Sequence, residues 1–180
     1  LGKVIEGTIS VNDRVLAEVD GERRLDIARN HTATHLLHAA LRQVLGTQVH
    51  QAGSLVGPDR FRFDFTYEAP VLKEELSQIQ GIVNENIRRN LSVTKKEMPH
   101  SQAVTEGAIA LFGEKYGEEV RMVAVGPADA AFSKELCGGV HVQATGEIGL
   151  FKITSESSVA AGIRRVAAVA GQESLRHAPQ

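Results

Sequence analysis

No stretch of this 180-residue sequence stays apolar for long; the longest uncharged apolar runs resemble Ala108 to Phe112. That is far short of the roughly 20 residues a helix needs to cross a bilayer, so a helical membrane span is excluded. The opening Leu1-Gly-Lys-Val-Ile alternates at once and lacks the basic head and apolar core of a secretory leader. There is one cysteine, Cys137. It has no partner for an internal disulfide, which points to a reducing, cytoplasmic setting. Charge of one sign is also missing: 20 basic against 22 acidic side chains leave a net charge of -2. The chain as a whole is therefore no adhesive for nucleic acid, and any RNA contact has to come from local patches or neighbouring domains. Repeats and low-complexity tracts are absent too. What is present is ordinary globular usage, 42% hydrophobic and 23% charged, which excludes a disordered or collagen-like chain. The length suits one well-buried domain, or one domain plus a fragment of another.

The periodicity changes along the chain. Val4, Gly7, Ile9 and Val11, then Val15, Ala17 and Val19, alternate around Asn12-Asp13, which predicts a hairpin with an Asx-type turn. Two strands alone are marginal in water. Residues 1–24 are therefore expected to be the remnant of an N-terminal β-barrel domain, and the chain an excised piece of a longer protein. Ala33, Leu36, Leu37, Ala40, Leu41, Val44 and Leu45 then gather on one side of a helix that Gly46 ends, its start lying near Asn30 or already near Glu22. Val49 to Val56 and Phe61 to Tyr67 read as a second hairpin across Gly57-Pro58-Asp59-Arg60, with Phe61, Phe63 and Phe65 sharing a face. A second helix is predicted over Lys73 to Asn90, with Leu76, Ile79, Val83 and Ile87 on its stripe. Strands follow at Val93 to Glu97, Val120 to Val125, Gly149 to Ser155 and Ile163 to Ala170, with one helical turn at Ser101 to Glu106. Helices and strands do not alternate regularly, so the expected class is α+β, helices packed on antiparallel sheet. The main domain is expected to span 25–171, with 172–180 as a tail.

Two spacings carry chemistry. His31-Thr-Ala-Thr-His35 puts two imidazoles at i and i+4, about 40° apart on a helix and within reach of one ion. They point away from the apolar side. About a hundred residues later, Cys137-Gly-Gly-Val-His141 sets the only cysteine four residues from another histidine. Together they form a borderline-soft nitrogen and sulfur set that suits tetrahedral Zn²⁺ better than Mg²⁺ or Ca²⁺. Gly138 and Gly139, without Cβ atoms, allow a tight turn and close backbone approach between two ligands. The bland reading stands beside this one. His38, at i+7 on the same side, extends the pair into what reads equally as a solvated polar stripe with Arg42, and a lone cysteine is often a small core residue. A metalloprotease is excluded, because its helix motif needs Glu after the first His and Thr32 is there. Asp64 and Glu135 lie near the motifs in sequence, and both read as strand-surface pairing residues. Arg88, Arg89, Lys95 and Lys96, and separately Arg164-Arg165, are the basic clusters, read either as solvated faces or as phosphate contacts.

Taken in order, Arg29-Asn-His-Thr-Ala-Thr-His-Leu-Leu-His-Ala-Ala-Leu-Arg42, Gln51-Ala-Gly-Ser-Leu-Val56, Arg62-Phe-Asp-Phe65, Ala110-Leu-Phe-Gly-Glu-Lys-Tyr-Gly117, Glu135-Leu-Cys-Gly-Gly139, Gly146-Glu-Ile-Gly-Leu-Phe-Lys152 and the closing Ser155 to Arg165 resemble the editing domain of alanyl-tRNA synthetase. Free-standing alanyl-tRNA editing proteins and the threonyl-tRNA synthetase editing domain share the metal pattern. The resemblance implies a hydrolase that cleaves serine or glycine from wrongly charged alanine tRNA, with tRNA and the remaining domains of the synthetase as partners. It implies Zn²⁺ held by His31, His35, Cys137 and His141, with Thr34 and Gln51 handling the substrate. A zinc-stabilised, noncatalytic tRNA-binding module is the alternative. Val140 departs from the family pattern, which more often has Thr there, so a hydroxyl that could orient the neighbouring ligand is missing.

Overall fold

The computed structural model describes residues 2–110 and 116–177. Most of the Ala110 to Gly117 segment, along with Leu1 and the end of the expected tail, lies outside the described residues. The first element is helix α1, Gly21–Leu45, so of the two starts read from the sequence the earlier one holds. Its start follows from Asp20, whose Oδ1 accepts the backbone N–H of Arg23 at 3.0 Å and satisfies a donor that would otherwise lack a partner. Its end is Gly46, at φ 112, a conformation that side chains resist. The hairpin follows as β1, Gln51–Val56, and β2, Phe61–Thr66. Helix α2 covers Lys73–Arg88, strand β3 Val93–Pro99 and the short helix α3 His100–Thr105. Strands β4 (Glu119–Val125) and β5 (Ser133–Leu136) come next, then a 3-10 turn at Thr145–Ile148. Strands β6 (Phe151–Ala160) and β7 (Ile163–Ala170) and helix α4 (Gln172–Arg176) close the chain. Strand β5 and helix α4 have no counterpart in the periodicity.

The strands form two antiparallel sheets, one in the order β1-β2-β7-β6 and one in the order β3-β4-β5. This is the α+β class expected. In β2 the alternation places Phe61, Phe63 and Phe65 inward, all essentially without solvent contact, beneath Ala33, Leu36, Leu37, Ala40 and Leu41 of α1 and Ile79, Val83 and Ile87 of α2. Each such large apolar side chain stabilises the fold by about 1.5–3 kcal/mol on burial. A smaller core, Met98, Ala103, Val120, Met122 and Leu136, lies under the second sheet. Asn84 joins α2 to β6: its Nδ2 donates to Phe151 O and its Oδ1 accepts Phe151 N–H, both at 2.9 Å. Asn84→Ala leaves both backbone groups without a partner. The expected loss is about 1–2 kcal/mol, roughly 2–8 °C in the thermal midpoint by calorimetry.

Two expectations need correction. Residues 2–20 contain the Asx turn, with Asn12 at φ 75 and the Asp13 carboxylate accepting Ser10 N–H at 2.7 Å, but no ladder joins its flanks. Their apolar side chains, Ile5, Val11 and Leu16 among them, are exposed. Strands need neighbours to bury a face, and these have none among the described residues. The helix side opposite the sheet is not solvated either: Thr32, Thr34, His35 and His38 are all buried. Strand β5 and the segment after it cover that side. Among the described residues no helix is long and apolar enough to cross a membrane.

Candidate metal centre

Helix α1 and the segment after β5 meet where the sequence places its two short motifs. One donor atom from each of His31, His35, Cys137 and His141 lies within 4.8 Å of every other. The Cys137 Sγ is 3.4 Å from His31 Nε2 and 3.3 Å from His141 Nε2. A tetrahedral zinc, with bonds of about 2.0–2.1 Å to nitrogen and about 2.3 Å to sulfur, would hold neighbouring donors about 3.5 Å apart. The two sulfur–nitrogen distances match that spacing, and the four donors, all within 4.8 Å of one another, could hold a metal ion.

Neighbouring groups fix these side chains. The Thr32 hydroxyl donates to Ala28 O at 2.9 Å and so has no second proton to give. At 3.2 Å from His141 Nδ1 it can only accept. In the tautomer with its proton on Nδ1, His141 donates to that hydroxyl and leaves Nε2 bare toward the sulfur, which is the form a metal requires. Thr32 also accepts Val142 N–H at 3.2 Å, tying the loop to the helix. Arg121 on β4 holds the loop from its other side, donating from Nε to Cys137 O at 2.9 Å and from Nη2 to Gly139 O. Lys95 donates to His141 O and Val142 O, both at 3.2 Å, so this member of the basic stretch builds the loop. The Val140 side chain packs against the main core instead.

The role read for the glycine pair divides in two. A Cβ on Gly139 would fall 1.9 Å from His31 Cε1, so the ring can lie there only because the residue is glycine. Gly138 faces open space. Close approach rather than an unusual backbone angle is the reason, since neither φ is left-handed.

The electrostatics suit a thiolate. Burial pushes the Cys137 thiol up, but hydrogen bonding to His141, His31 and His35 and the positive charge of His35 bring it down to about 3. The Gly139 N–H, 3.4 Å from Sγ, adds a further donor. Burial also pulls His141 down, to about 4, against the opposing bond to Cys137. It stays neutral near pH 7 and is able to ligate.

Glu135 is where the reading from sequence fails. It is buried, 3% exposed, not on a strand surface. Its Oε2 lies 3.2 Å from His35 Nδ1, an ion-pair distance at which the ring is turned out of hydrogen-bond alignment. Its Oε1 accepts from His38 Nδ1 at 2.9 Å. Burial raises its pKa, but the two histidines and the Ser133 hydroxyl outweigh that and keep it below the usual carboxylate range. His38 is likewise a core residue, so the solvated-stripe reading gives way. Asp64 does pair on the strand surface, with Arg165 Nε at 2.6 Å. Arg164 pairs with Glu156, also at 2.6 Å. The remaining candidates, Thr34 and Gln51, engage neighbours on their own elements. The Thr34 hydroxyl donates to Asn30 O at 2.8 Å within its own helix, and Gln51 Nε2 donates to Ser54 Oγ at 3.2 Å.

The class of domain can now be stated. Residues 120–167 match the family described as the threonyl and alanyl tRNA synthetase second additional domain. The loop donors Cys137 and His141 lie within that stretch, whereas the helical pair precedes it. The wider relatives are more particular. The chain is 56% identical to an alanine--tRNA ligase of Dehalococcoides mccartyi over 172 residues, 96% of the chain and 20% of that protein. It is 57% identical to the Thermus thermophilus alanine--tRNA ligase over 178 residues, 98% of the chain and 20% of the relative. The Burkholderia mallei counterpart is 52% identical over 176 residues. The resemblance to alanyl-tRNA synthetase is thus borne out, and the chain spans about a fifth of the length of the curated relatives it matches.

Proposed function

We propose that the chain is the editing part of an alanyl-tRNA synthetase, a zinc-dependent hydrolase that cleaves the ester of alanine tRNA carrying serine or glycine by mistake. The observation that carries this reading is the convergence of three imidazoles and one thiolate from distant motifs, in a chain similar along its length to alanine--tRNA ligases. The need is physical. A pocket that binds alanine discriminates weakly against a side chain smaller by a methyl group or larger by a hydroxyl, by about 1–3 kcal/mol, so a second site has to correct the error.

His31, His35, Cys137 and His141 would hold the zinc, and bound zinc would supply a positive charge that polarises or orients the ester end of the substrate. The protein's own residues supply selection. Because the Thr34 hydroxyl spends its proton on Asn30 O, it offers the substrate an acceptor only. A serine hydroxyl can donate to it; an alanine methyl leaves it unpaired, at a cost of about 1–3 kcal/mol. Gln51, half-buried at the start of β1 with its amide nitrogen engaged by Ser54, has a side-chain carbonyl oxygen with no donor among the described residues, able to receive one. The domain division follows the same reading: 1–24 belongs with an adjoining domain, 25–171 is the editing unit and 172–180 leads onward. Transfer RNA and the other domains of a synthetase are the partners, and the cytoplasm is the compartment.

The test compares Ser-, Gly- and Ala-tRNA in a deacylation assay with metal analysis of the same preparation. Serine and glycine release with zinc bound is expected; a zinc-loaded chain that binds tRNA but releases neither would establish the noncatalytic binding module instead. Thr34→Val keeps shape and removes the acceptor. It is expected to lower kcat/KM for Ser-tRNA about 10-fold, or about 1.4 kcal/mol, while changing Gly-tRNA little.

A further inference from the structure

His38 lies outside the four donors, and the chemistry described so far does not use it. It is 1% exposed, three residues beyond His35 on α1 and stacked at a tilt beside Phe63, ring centroids 5.2 Å apart. A histidine so deep in an apolar core is costly unless its polar atoms are engaged. Only one of them is. Nδ1 donates to Glu135 Oε1 at 2.9 Å, while Nε2 has no partner among the described residues. Phenylalanine or leucine would fill the same space without that cost, so the Glu135 bond is the feature that calls for a histidine.

Glu135 makes the same argument from the other side. A carboxylate that is 3% exposed must be compensated, and its surroundings provide His38, His35 and the Ser133 hydroxyl at 3.4 Å. Of these, the His38 contact is the short, well-formed hydrogen bond. The His35 contact, 3.2 Å from Nδ1 to Oε2, is an ion-pair approach without hydrogen-bond alignment, and it sets the other carboxylate oxygen against the ring that joins the donor cluster. Carboxylates behind ligating histidines fix the tautomer and the ring plane, and losing them typically weakens metal binding 10–100-fold.

We propose that His38 is a positioning residue for the metal centre: it anchors the buried Glu135 carboxylate, which in turn orients the ring of His35. Phe63 and the core beneath hold His38, so the chain of support runs from the packed sheet face through His38 and Glu135 to the cluster. The inference rests on the metal reading above.

The test uses the full chain and zinc alone, with affinity measured by competition against a chromophoric chelator and ring tautomers read from ¹⁵N-labelled histidine spectra. His38→Phe is expected to lower zinc affinity 10–100-fold, with a folded far-ultraviolet spectrum and a disturbed His35 signal. His38→Asn, whose amide N–H falls near the place of Nδ1, is expected to recover affinity to within about threefold of the parent. Glu135→Gln should weaken zinc about as much as His38→Phe, and the double variant should add little to either. Parental affinity in His38→Phe, or a loss in His38→Asn as large as in His38→Phe, overturns the proposal. If His38→Phe does not fold, His38→Asn and Glu135→Gln decide it: near-parental affinity in His38→Asn with a 10–100-fold loss in Glu135→Gln supports the link, and parental affinity in Glu135→Gln overturns it. A parent chain that takes up no zinc refutes the metal reading itself, a different outcome from unchanged affinity in the variant.

Discussion

Cys137→Ala is expected to release the metal and to end serine removal from mischarged tRNA in the same step. The sulfur is the hub of the cluster, 3.4 Å from His31 Nε2 and 3.3 Å from His141 Nε2, and it is the only thiol in the chain. Structural zinc sites in small domains are worth about 10–16 kcal/mol in total, so one ligand in four accounts for about 3 kcal/mol or more, 10²–10³-fold in affinity. Charge adds to the loss, because the thiolate offsets the cation and three neutral rings do not. The fold should survive, since Cys137 is on a loop against the margin of the core and the buried phenylalanines of β2 do not depend on it. Chelator competition and a deacylation time course on one sample read both effects. Zinc lost with serine release intact would separate the metal from the reaction; zinc retained would reject the site.

Gly139→Ala tests the same centre without touching a donor. The added methyl would meet His31 Cε1 at 1.9 Å and Nδ1 at 2.3 Å. The ring cannot stay, and the loop cannot easily retreat because Arg121 holds Cys137 O and Gly139 O. The expected result is a fall in zinc affinity of at least about 100-fold, with helix content and thermal unfolding of the metal-free chain little changed. Gly138→Ala is the matched control: its methyl meets no atom within 4 Å, and near-parental affinity is expected. Equal losses in the two variants would show a general intolerance of the loop and remove Gly139 from the explanation.

How far the sequence reveals this arrangement depends on the range of the interactions. Helices α1 and α2 and the β1–β2 hairpin are legible because each buries one regular stripe: Leu36, Leu37 and Leu41, Ile79 and Val83, Phe61, Phe63 and Phe65. Strand β5 is not, because Ser133–Leu136 is four residues long and mixes a lysine and a glutamate into the pattern. Its place is decided by pairing with β4, Glu135 opposite Val123. The four donors could be chosen from residue type and spacing, yet their meeting depends on long-range packing that no local pattern records. Glu135 is legible by one further rule of strand geometry. Residues two apart on an extended segment face the same way, so a carboxylate two positions before Cys137 points toward the side where the thiol points. Glu135-Leu-Cys137 is such a strand end, and it aims the carboxylate at the cluster. The residue 2–20 turn is legible in Asn12-Asp13, but a ladder needs neighbours that local sequence does not specify.

The central claim is that one metal ion is surrounded by donors from both motifs at once. Zinc K-edge X-ray absorption on the full chain, loaded with one equivalent of zinc, addresses it directly. The account predicts a single sulfur neighbour at about 2.3 Å with imidazole nitrogens at about 2.0–2.1 Å, and loss of the sulfur shell in Cys137→Ala. A first shell of nitrogen and oxygen alone in the parent chain would contradict it.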